Sequence, residues 1–321
     1  MDASTPTLVD CKFNRNSTLL GGALYWESST RPTVTACLFE ENQANYGGAV
    51  FTSSNAASSL VNCTLANNSA ALDGGAVYSN GGGLLTLDRC VLVSNSASSR
   101  GGAAFSTGAI SIDHCTLYGN WTGGAGGGVM VESGTASLEN TIIAFGPDGE
   151  AVACGGGTAT LSCCDIYANI EGDWVGCIAE QVGVNDNFSA NPLFCDAENR
   201  NFTIHGTSPC APSNSPGNCG LIGALPVACG VTDVAESAPL VGNRLTVKPN
   251  PVCGPNAAEF SFDVASAAVE IYDLQGRLIQ MLIPEDRRAV WLPDASVPRG
   301  IYFARLRGTA VAEVVKFAVI R

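Results

Sequence analysis

Five stretches of this chain repeat one phrase: a Cys, a Phe or Leu two residues on, an Asn three beyond that, and then Gly-Gly-Ala. The first three are Cys11-Lys-Phe-Asn-Arg-Asn with Gly21-Gly-Ala, Cys37-Leu-Phe-Glu-Glu-Asn with Gly47-Gly-Ala, and Cys63-Thr-Leu-Ala-Asn-Asn with Gly74-Gly-Ala. Cys90-Val-Leu-Val-Ser-Asn with Gly101-Gly-Ala is the fourth; Cys115-Thr-Leu-Tyr-Gly-Asn, with a looser Gly-Gly-Ala-Gly-Gly-Gly, is the fifth. Successive cysteines lie 26, 26, 27 and 25 residues apart. A fixed period of this length marks a stacked solenoid, because one such unit cannot bury its apolar face alone.

Composition within the unit selects the kind of solenoid. Helical repeats need long apolar-periodic runs of helix formers. Here each unit is rich in Gly, Ser, Thr and Asn, with short β-prone triplets such as Ala76-Val77-Tyr78, Leu85-Thr86-Leu87 and Cys90-Val91-Leu92. Three short strands and three turns make one rung of a right-handed parallel β-helix. Side chains alternate along a strand, so the Cys and the Phe or Leu two later share a face and stack inward across rungs about 4.8 Å apart. An apolar residue three before the Cys (Val34, Leu60, Leu87, Ile112, Leu161) has the wrong parity for one straight strand. A bend is therefore expected between them, at Asn62, Arg89 and His114. The repeat positions singled out as structural are Cys11, Cys37, Cys63, Cys90 and Cys115 with Asn16, Asn42, Asn68, Asn95 and Asn120.

These phrases, Phe-x-x-Asn and Gly-Gly-Ala-Leu or -Val on one repeat, resemble the polymorphic outer-membrane protein repeat of chlamydial adhesins and other bacterial surface proteins. The resemblance covers roughly residues 8–130. Phe13 and Phe39 match the motif, whereas Leu65, Leu92 and Leu117 are conservative departures. It implies a passenger-type β-helix at the cell surface and does not imply an enzyme. Beyond residue 130 the phrase decays: Asn140-Thr141-Ile142-Ile143 lines up with Asn62-Cys63-Thr64-Leu65, and Cys164-Asp-Ile-Tyr-Ala-Asn169 restores it. Residues 171–229 read as a loop-rich, Cys-rich terminal cap, which a solenoid needs to block edge pairing.

Charge divides the chain. Residues 1–243 carry 6 Lys and Arg against 21 Asp and Glu, and residues 244–321 carry 10 against 8. A solenoid this acidic is a poor partner for nucleic acid or an anionic membrane. The domains expected are a β-helix with its cap at 1–229, a linker at 230–243 and a third segment at 244–321. That segment reads as alternating strands at sandwich spacing, around Leu245, Glu259, Val269, Gly300 and Val314. It is similar to the type A C-terminal sorting domain of the type IX secretion system, which is Ig-like. The matching positions are Asn250 and Pro251, Tyr272 and Asp273, Gly276 and Arg277, Gly300 and Tyr302, and Lys316. The fold class expected is thus all-β: a right-handed parallel β-helix followed by a small Ig-like antiparallel β-sandwich.

The chain has 14 cysteines. The repeat-column cysteines, with Cys164, are expected to be buried thiols acting as small apolar fillers. Cys154, Cys163, Cys177, Cys195, Cys210, Cys219 and Cys229 lie in or beside the irregular cap, where export favours disulfides of undetermined pairing, and Cys253 is left over. A zinc site lacks its spacing, and no cofactor is expected. No catalytic constellation stands out. Asp88 and Asp113, followed by Arg89 and His114, hold one position on neighbouring rungs; they are weak candidates for calcium or sugar, with exposed bend residues as the plain reading. Asp148, Glu150, Asp165, Glu171 and Asp173 read as solvated loop charges. Trp26, Tyr46, Tyr78 and Trp121 form either a strip for stacking sugars or covers for the rung edges.

The start, Met1 running into a first repeat with neither signal segment nor cap, suggests a truncated chain or a misplaced start. No 18-residue apolar stretch is present, so no membrane span is expected. The function expected is an exported surface or secreted protein with a structural, adhesive or ligand-presenting role, extracellular or outer-membrane associated, and monomeric. Its partners would be the type IX secretion machinery and a surface ligand, glycan or protein. The alternatives are a polysaccharide lyase or glycoside hydrolase on the same scaffold, and a non-catalytic sugar- or calcium-binding module.

Overall fold

The computed structural model describes residues 5–230 apart from 28, 29 and 54. It also describes residues 245–320 apart from 249, 251, 254–256, 263–267, 274–276, 285–286, 294–296 and 308–313. The linker assigned to 230–243 lies outside the described residues beyond Gly230, as do Pro251 and Gly276. The chain forms two compact units, Met1–Thr232 and Asp233–Arg321.

The first unit is a parallel β-solenoid. Sheet A stacks seven strands: Thr7–Val9, Thr33–Thr35, Ser58–Val61, Leu84–Asp88, Ala109–Asp113, Thr135–Glu139 and Thr158–Ser162. Sheet B stacks seven more, from Lys12–Asn14 to Asp165–Tyr167, and sheet C six, from Leu24–Trp26 to Val152–Cys154. Every pairing within these three sheets is parallel and joins equivalent positions one repeat apart, as in Leu92 with Leu65 and Leu117. A fourth short strand, absent from the three-strand reading, forms in four rungs: Gln43–Tyr46, Ser69–Asp73, Ser96–Ala97 and Trp121–Thr122 (sheet D). The interior is built of columns. Val34, Leu60, Leu87, Ile112, Leu138 and Leu161 face it from sheet A, Phe39, Leu65, Leu92, Leu117, Ile143 and Ile166 from sheet B, and Val50, Val77, Ala104, Val129 and Val152 from sheet C. Phe13 extends the second column and stacks on Phe39 at 4.8 Å.

The bend between sheets A and B is left-handed in every rung. Asp10, Ala36, Asn62, Arg89, His114, Asn140 and Cys163, each one residue before the Cys position, have φ between 46° and 53°. A second left-handed residue stands just before the Asn position: Arg15, Glu41, Asn67, Ser94, Gly119, Phe145 and Ala168, with φ between 53° and 61°. The Gly-Gly pair has two separate reasons. The first glycine (Gly21, Gly47, Gly74, Gly101) is itself left-handed. The second has no room for a side chain, since a Cβ on Gly22, Gly48 or Gly75 would fall on the carbonyl oxygen of Gly48, Gly75 or Gly102. The Ala after the pair (Ala49, Ala76, Ala103) is fully buried.

Two structures come after rung seven, and only one of them is a terminal cap. Residues 174–188 close the end: Ile178, on the 3-10 turn Gly176–Gln181, is buried in the interior cluster and Trp174 packs against it. The chain then turns back along the outside. Phe202 and Ala224 pack with Ala66, Val91 and Val93 on the outer face of sheet B, and Cys210, Ala211 and Ile222 pack with Ile142 and Ala144. Ala224 N–H donates to Thr116 Oγ1 at 3.0 Å, Gly223 N–H to the Asn140 carbonyl at 2.7 Å, and Arg200 reaches Glu40 on the second rung at 2.9 Å. Residues 191–229 are thus a lateral lid, which covers an outer sheet face too apolar to be left in water.

The second unit consists of two small, mainly antiparallel sheets. Thr246–Lys248, Ala258–Ser261 and Arg288–Trp291 form one. The other runs in the order Val252–Cys253, Val314–Ile320, Gly300–Arg307, Ala268–Asp273, Leu278–Leu282. They share one core containing Phe260, Ile271, Trp291, Tyr302, Ala304 and Phe317.

Candidate functional site

The repeat residues form two hydrogen-bonded columns through the interior. Asn42, Asn68 and Asn95 each donate both the backbone N–H and Nδ2 to Oδ1 of the next Asn, at 2.9–3.0 Å. Asn16 does the same toward Asn42, and Asn120 ends the run. Each Nδ2 also reaches a carbonyl of the preceding rung, Phe13 from Asn42, Phe39 from Asn68, Leu65 from Asn95 and Leu92 from Asn120. Donors left over by the second left-handed bend are thereby satisfied inside a dry core.

The cysteines do more than fill space. Each thiol of Cys37, Cys63, Cys90, Cys115 and Cys164 lies within 3.2–3.8 Å of two carbonyls, one two residues before it and one in the rung below, such as Val61 and Val34 for Cys63. Thr141 takes the same place in rung six, its hydroxyl donating to Glu139 and accepting the Cys115 N–H. The apolar-filler reading is corrected accordingly: the position wants a small group that can hydrogen-bond. Burial pushes the thiols of Cys37 and Cys90 up and that of Cys164 up to about 12, so these sulfurs stay protonated and are poor nucleophiles. They remain unpaired, whereas disulfides join Cys154 to Cys177, Cys163 to Cys219 and Cys195 to Cys229. The second of these ties the lid to rung seven.

The acidic candidates do not converge. Asp88 and Asp113 are register partners in sheet A, yet each carboxylate is engaged by its own successor: Arg89 at 3.2 Å from Asp88, and His114 Nδ1 at 2.7 Å from Asp113. Asp148 accepts from the N–H of Gly149, Glu150 from that of Gly126, and Asp173 from those of Ala168 and Asn169. Glu171 is exposed. Asp165 departs from the reading as a solvated charge: it is fully buried under the lid, accepts from Ala190 N–H at 2.9 Å and lies 3.2 Å from the unpaired Cys210 sulfur. Loss of hydration pushes its pKa up to about 7.

The aromatic strip is real but differently composed. Tyr25, Phe51, Tyr78 and Phe105 stack ring on ring along the outer face of sheet C, with centroids 4.7–5.6 Å apart, and Tyr46 meets Tyr78 edge-on. Arg100 lies over Phe105 and is held by Asp73 and Glu132. Trp26 pairs in register with Thr52 and packs against the interior cluster, and Trp121 stands apart on sheet D. Because the rings between the ends of the stack spend both faces on one another, they offer edges, not sugar-stacking faces, to solvent.

In the second unit four of the motif positions, Asp273, Arg277, Gly300 and Tyr302, line one cleft. This cleft of about 220 Å³ is lined by Asp273, Arg277, Ile279 and the run Pro298–Tyr302. Asp273 is buried and closes the turn, accepting from Arg277 N–H at 2.9 Å and Arg277 Nε at 2.6 Å. Tyr302 donates to the Pro298 carbonyl at 2.7 Å and holds the facing loop. Tyr272 donates to Glu270 at 2.8 Å. Asn250 clamps the last strand from outside, donating to Lys316 C=O at 3.3 Å and accepting from Ala318 N–H at 3.1 Å.

Two segments of the solenoid, residues 36–53 and 62–86, match the model of the Chlamydia polymorphic membrane protein (Chlamydia_PMP) repeat. No curated protein matches the chain. A partial likeness among solved structures is to PorZ, described as an essential bacterial surface component of the type-IX secretion system of Porphyromonas gingivalis. It has 24% identity and a TM-score of 0.23, covering 27% of this chain and 13% of PorZ. Among the described residues no helix is long and apolar enough to cross a membrane.

Proposed function

We propose that this chain is an exported surface protein whose solenoid serves as a rigid presenting rod and whose C-terminal unit directs its delivery. The observation that carries the export reading is the set of three disulfides in the cap and lid, a chemistry of oxidising compartments. The match of residues 36–53 and 62–86 to a repeat of bacterial membrane proteins supports the surface location. The presenting role, as opposed to turnover of a polysaccharide, is supported by the way Asp88 and Asp113 are tied to Arg89 and His114. Delivery by type IX secretion is supported by the motif positions that meet around Asp273 and Tyr302.

The test is deletion of residues 244–321 from the gene in its host, followed by fractionation. Retention of the solenoid in the periplasm is expected. Undiminished surface delivery would reduce the second unit to an accessory sandwich. In parallel, the purified chain incubated with pectate, alginate and neutral glycans should release no new reducing or unsaturated ends. Turnover that vanishes in Asp113→Ala would make the enzyme reading the better one.

A further inference from the structure

Gly300 is a glycine that its own fold does not require. It opens the long strand Gly300–Arg307, its φ is not left-handed, and a Cβ built on it would meet nothing within 4 Å. The contrast with the solenoid is sharp, since Gly22, Gly48 and Gly75 are demanded by a neighbouring carbonyl. A strand glycine weakens the strand, and where no turn or crowding explains it, it marks a place where another backbone comes close. Gly300 lines the cleft of the second unit, so that bare backbone faces open space in a concave site.

The cleft has a definite chemistry. Arg277 and Arg299 line it, and the aliphatic side chains of Ile279 and Ile301 supply apolar surface. Asp273 takes the Nε of Arg277 but leaves its side chain 77% exposed. Arg299 is exposed, and among the described residues it makes no ion pair. A volume of about 220 Å³ is below the roughly 300 Å³ at which whole small-molecule sites begin. It suits one or two side chains of a larger partner.

We infer that this cleft docks an extended peptide segment of a partner protein, with its backbone against Gly300, a carboxylate side chain between Arg277 and Arg299, and an aliphatic neighbour on Ile279 and Ile301. Two guanidinium groups select a carboxylate over its amide, because charge-assisted bonds are about twice as strong as neutral ones. The inference concerns the cleft alone and stands apart from the export reading.

The test uses the full chain with labelled isoleucine methyls and two probe peptides, acetyl-Val-Glu-Val-amide and its Gln counterpart. The Glu peptide should shift the Ile279 and Ile301 resonances in a saturable way, with the Gln peptide at least about tenfold weaker. Arg299→Gln should lose the same factor. Gly300→Ala should keep or raise the unfolding midpoint while abolishing the shifts, a result that separates lost docking from lost folding. Equal titrations by the two peptides, no response to the Glu peptide, or undiminished binding by Gly300→Ala would each overturn the assignment.

Discussion

Replacing Asn68 with Ala tests the idea that the interior Asn column, more than apolar contact, holds the rungs in place. Asn68 is fully buried. Its Oδ1 accepts the N–H and the Nδ2 of Asn42, and its Nδ2 donates to Phe39 C=O and Asn95 Oδ1. Truncation leaves the Asn42 N–H and the Phe39 carbonyl with no side-chain partner in a dry core. Asn42 Nδ2 keeps Phe13 C=O, and Asn95 Oδ1 keeps the Asn68 N–H, so these suffer less. Two stranded groups and two further lost bonds cost about 3–9 kcal/mol together. Asn16 provides the internal control. It sits exposed on the first rung and makes one side-chain bond, to Asn42 at 2.8 Å, so Asn16→Ala should cost less than about 1 kcal/mol. Urea unfolding of the two variants gives the global difference. Native-state hydrogen exchange at the Asn42 amide gives the local one, which matters because stacked repeats need not unfold in one step. Asn68→Ala should lower the midpoint strongly and deprotect Asn42. Variants within about 1 kcal/mol of each other, with Asn42 still protected, would show that apolar stacking suffices and the column is incidental.

Three further outcomes are expected. Asp165 has its folded pKa raised from 3.8 to about 7, so its contribution is fully present below pH 4 and is lost as pH rises toward 7. The loss approaches about 4 kcal/mol, and Asp165→Asn should flatten that slope in unfolding measured from pH 4 to 8; an unchanged slope would refute the buried-acid account. Cys219→Ser opens the lid's tie to rung seven, across a sequence separation of 56, and should cost up to about 4 kcal/mol while raising exchange at Val91 and Val93. Gly75→Ala places a Cβ on the Gly102 carbonyl and should destabilise by more than about 3 kcal/mol, the opposite of Gly300→Ala, as read by thermal midpoint.

Parity and period carried most of the fold. The wrong-parity spacing between Leu60 and Cys63 was enough to place a bend at Asn62, and φ there is 53°. The second bend left no comparable trace, because Glu41, Ser94 and Phe145 share no preference for left-handed backbone; only the regular place of the Asn after them hints at it. The lid was invisible for a different reason. Its contacts join residues as far apart as Arg200 and Glu40, 160 positions away, and its own stretch looks only loop-rich. The strand Arg288–Trp291 escaped notice because four residues between turns give little alternation to read. At the candidate site, the motif positions were legible one by one, but the meeting of four of them around one cleft, and the absence of any internal reason for Gly300, exist only in three dimensions.

The two ways of holding the solenoid together divide it along its length. Through rung five the Asn and Cys columns run unbroken, and each rung passes its spare donors to the next. At rung six the pattern lapses: Thr141 replaces the Cys, and Gly146 replaces the Asn, so Asn120 has no side-chain acceptor ahead of it and Gly146 N–H turns to Asn169 at 3.0 Å. The lid reaches back as far as Glu40 on rung two, but the covalent fastenings lie only beyond this lapse. Gly223 of the lid bonds Asn140, Cys163 is tied to Cys219, and Cys154 to Cys177. A repeat whose rungs differ only slightly needs something to stop one unit pairing in the register of another, and an interior polar column does this because a slipped rung would strand its donors. Where that column fails, a covalent tie and a covering lid perform the same task from outside. The departure of the sequence from its own repeat after residue 130 is therefore a change in the means of fixing register, made at the rungs that the disulfides of Cys154 and Cys163 secure.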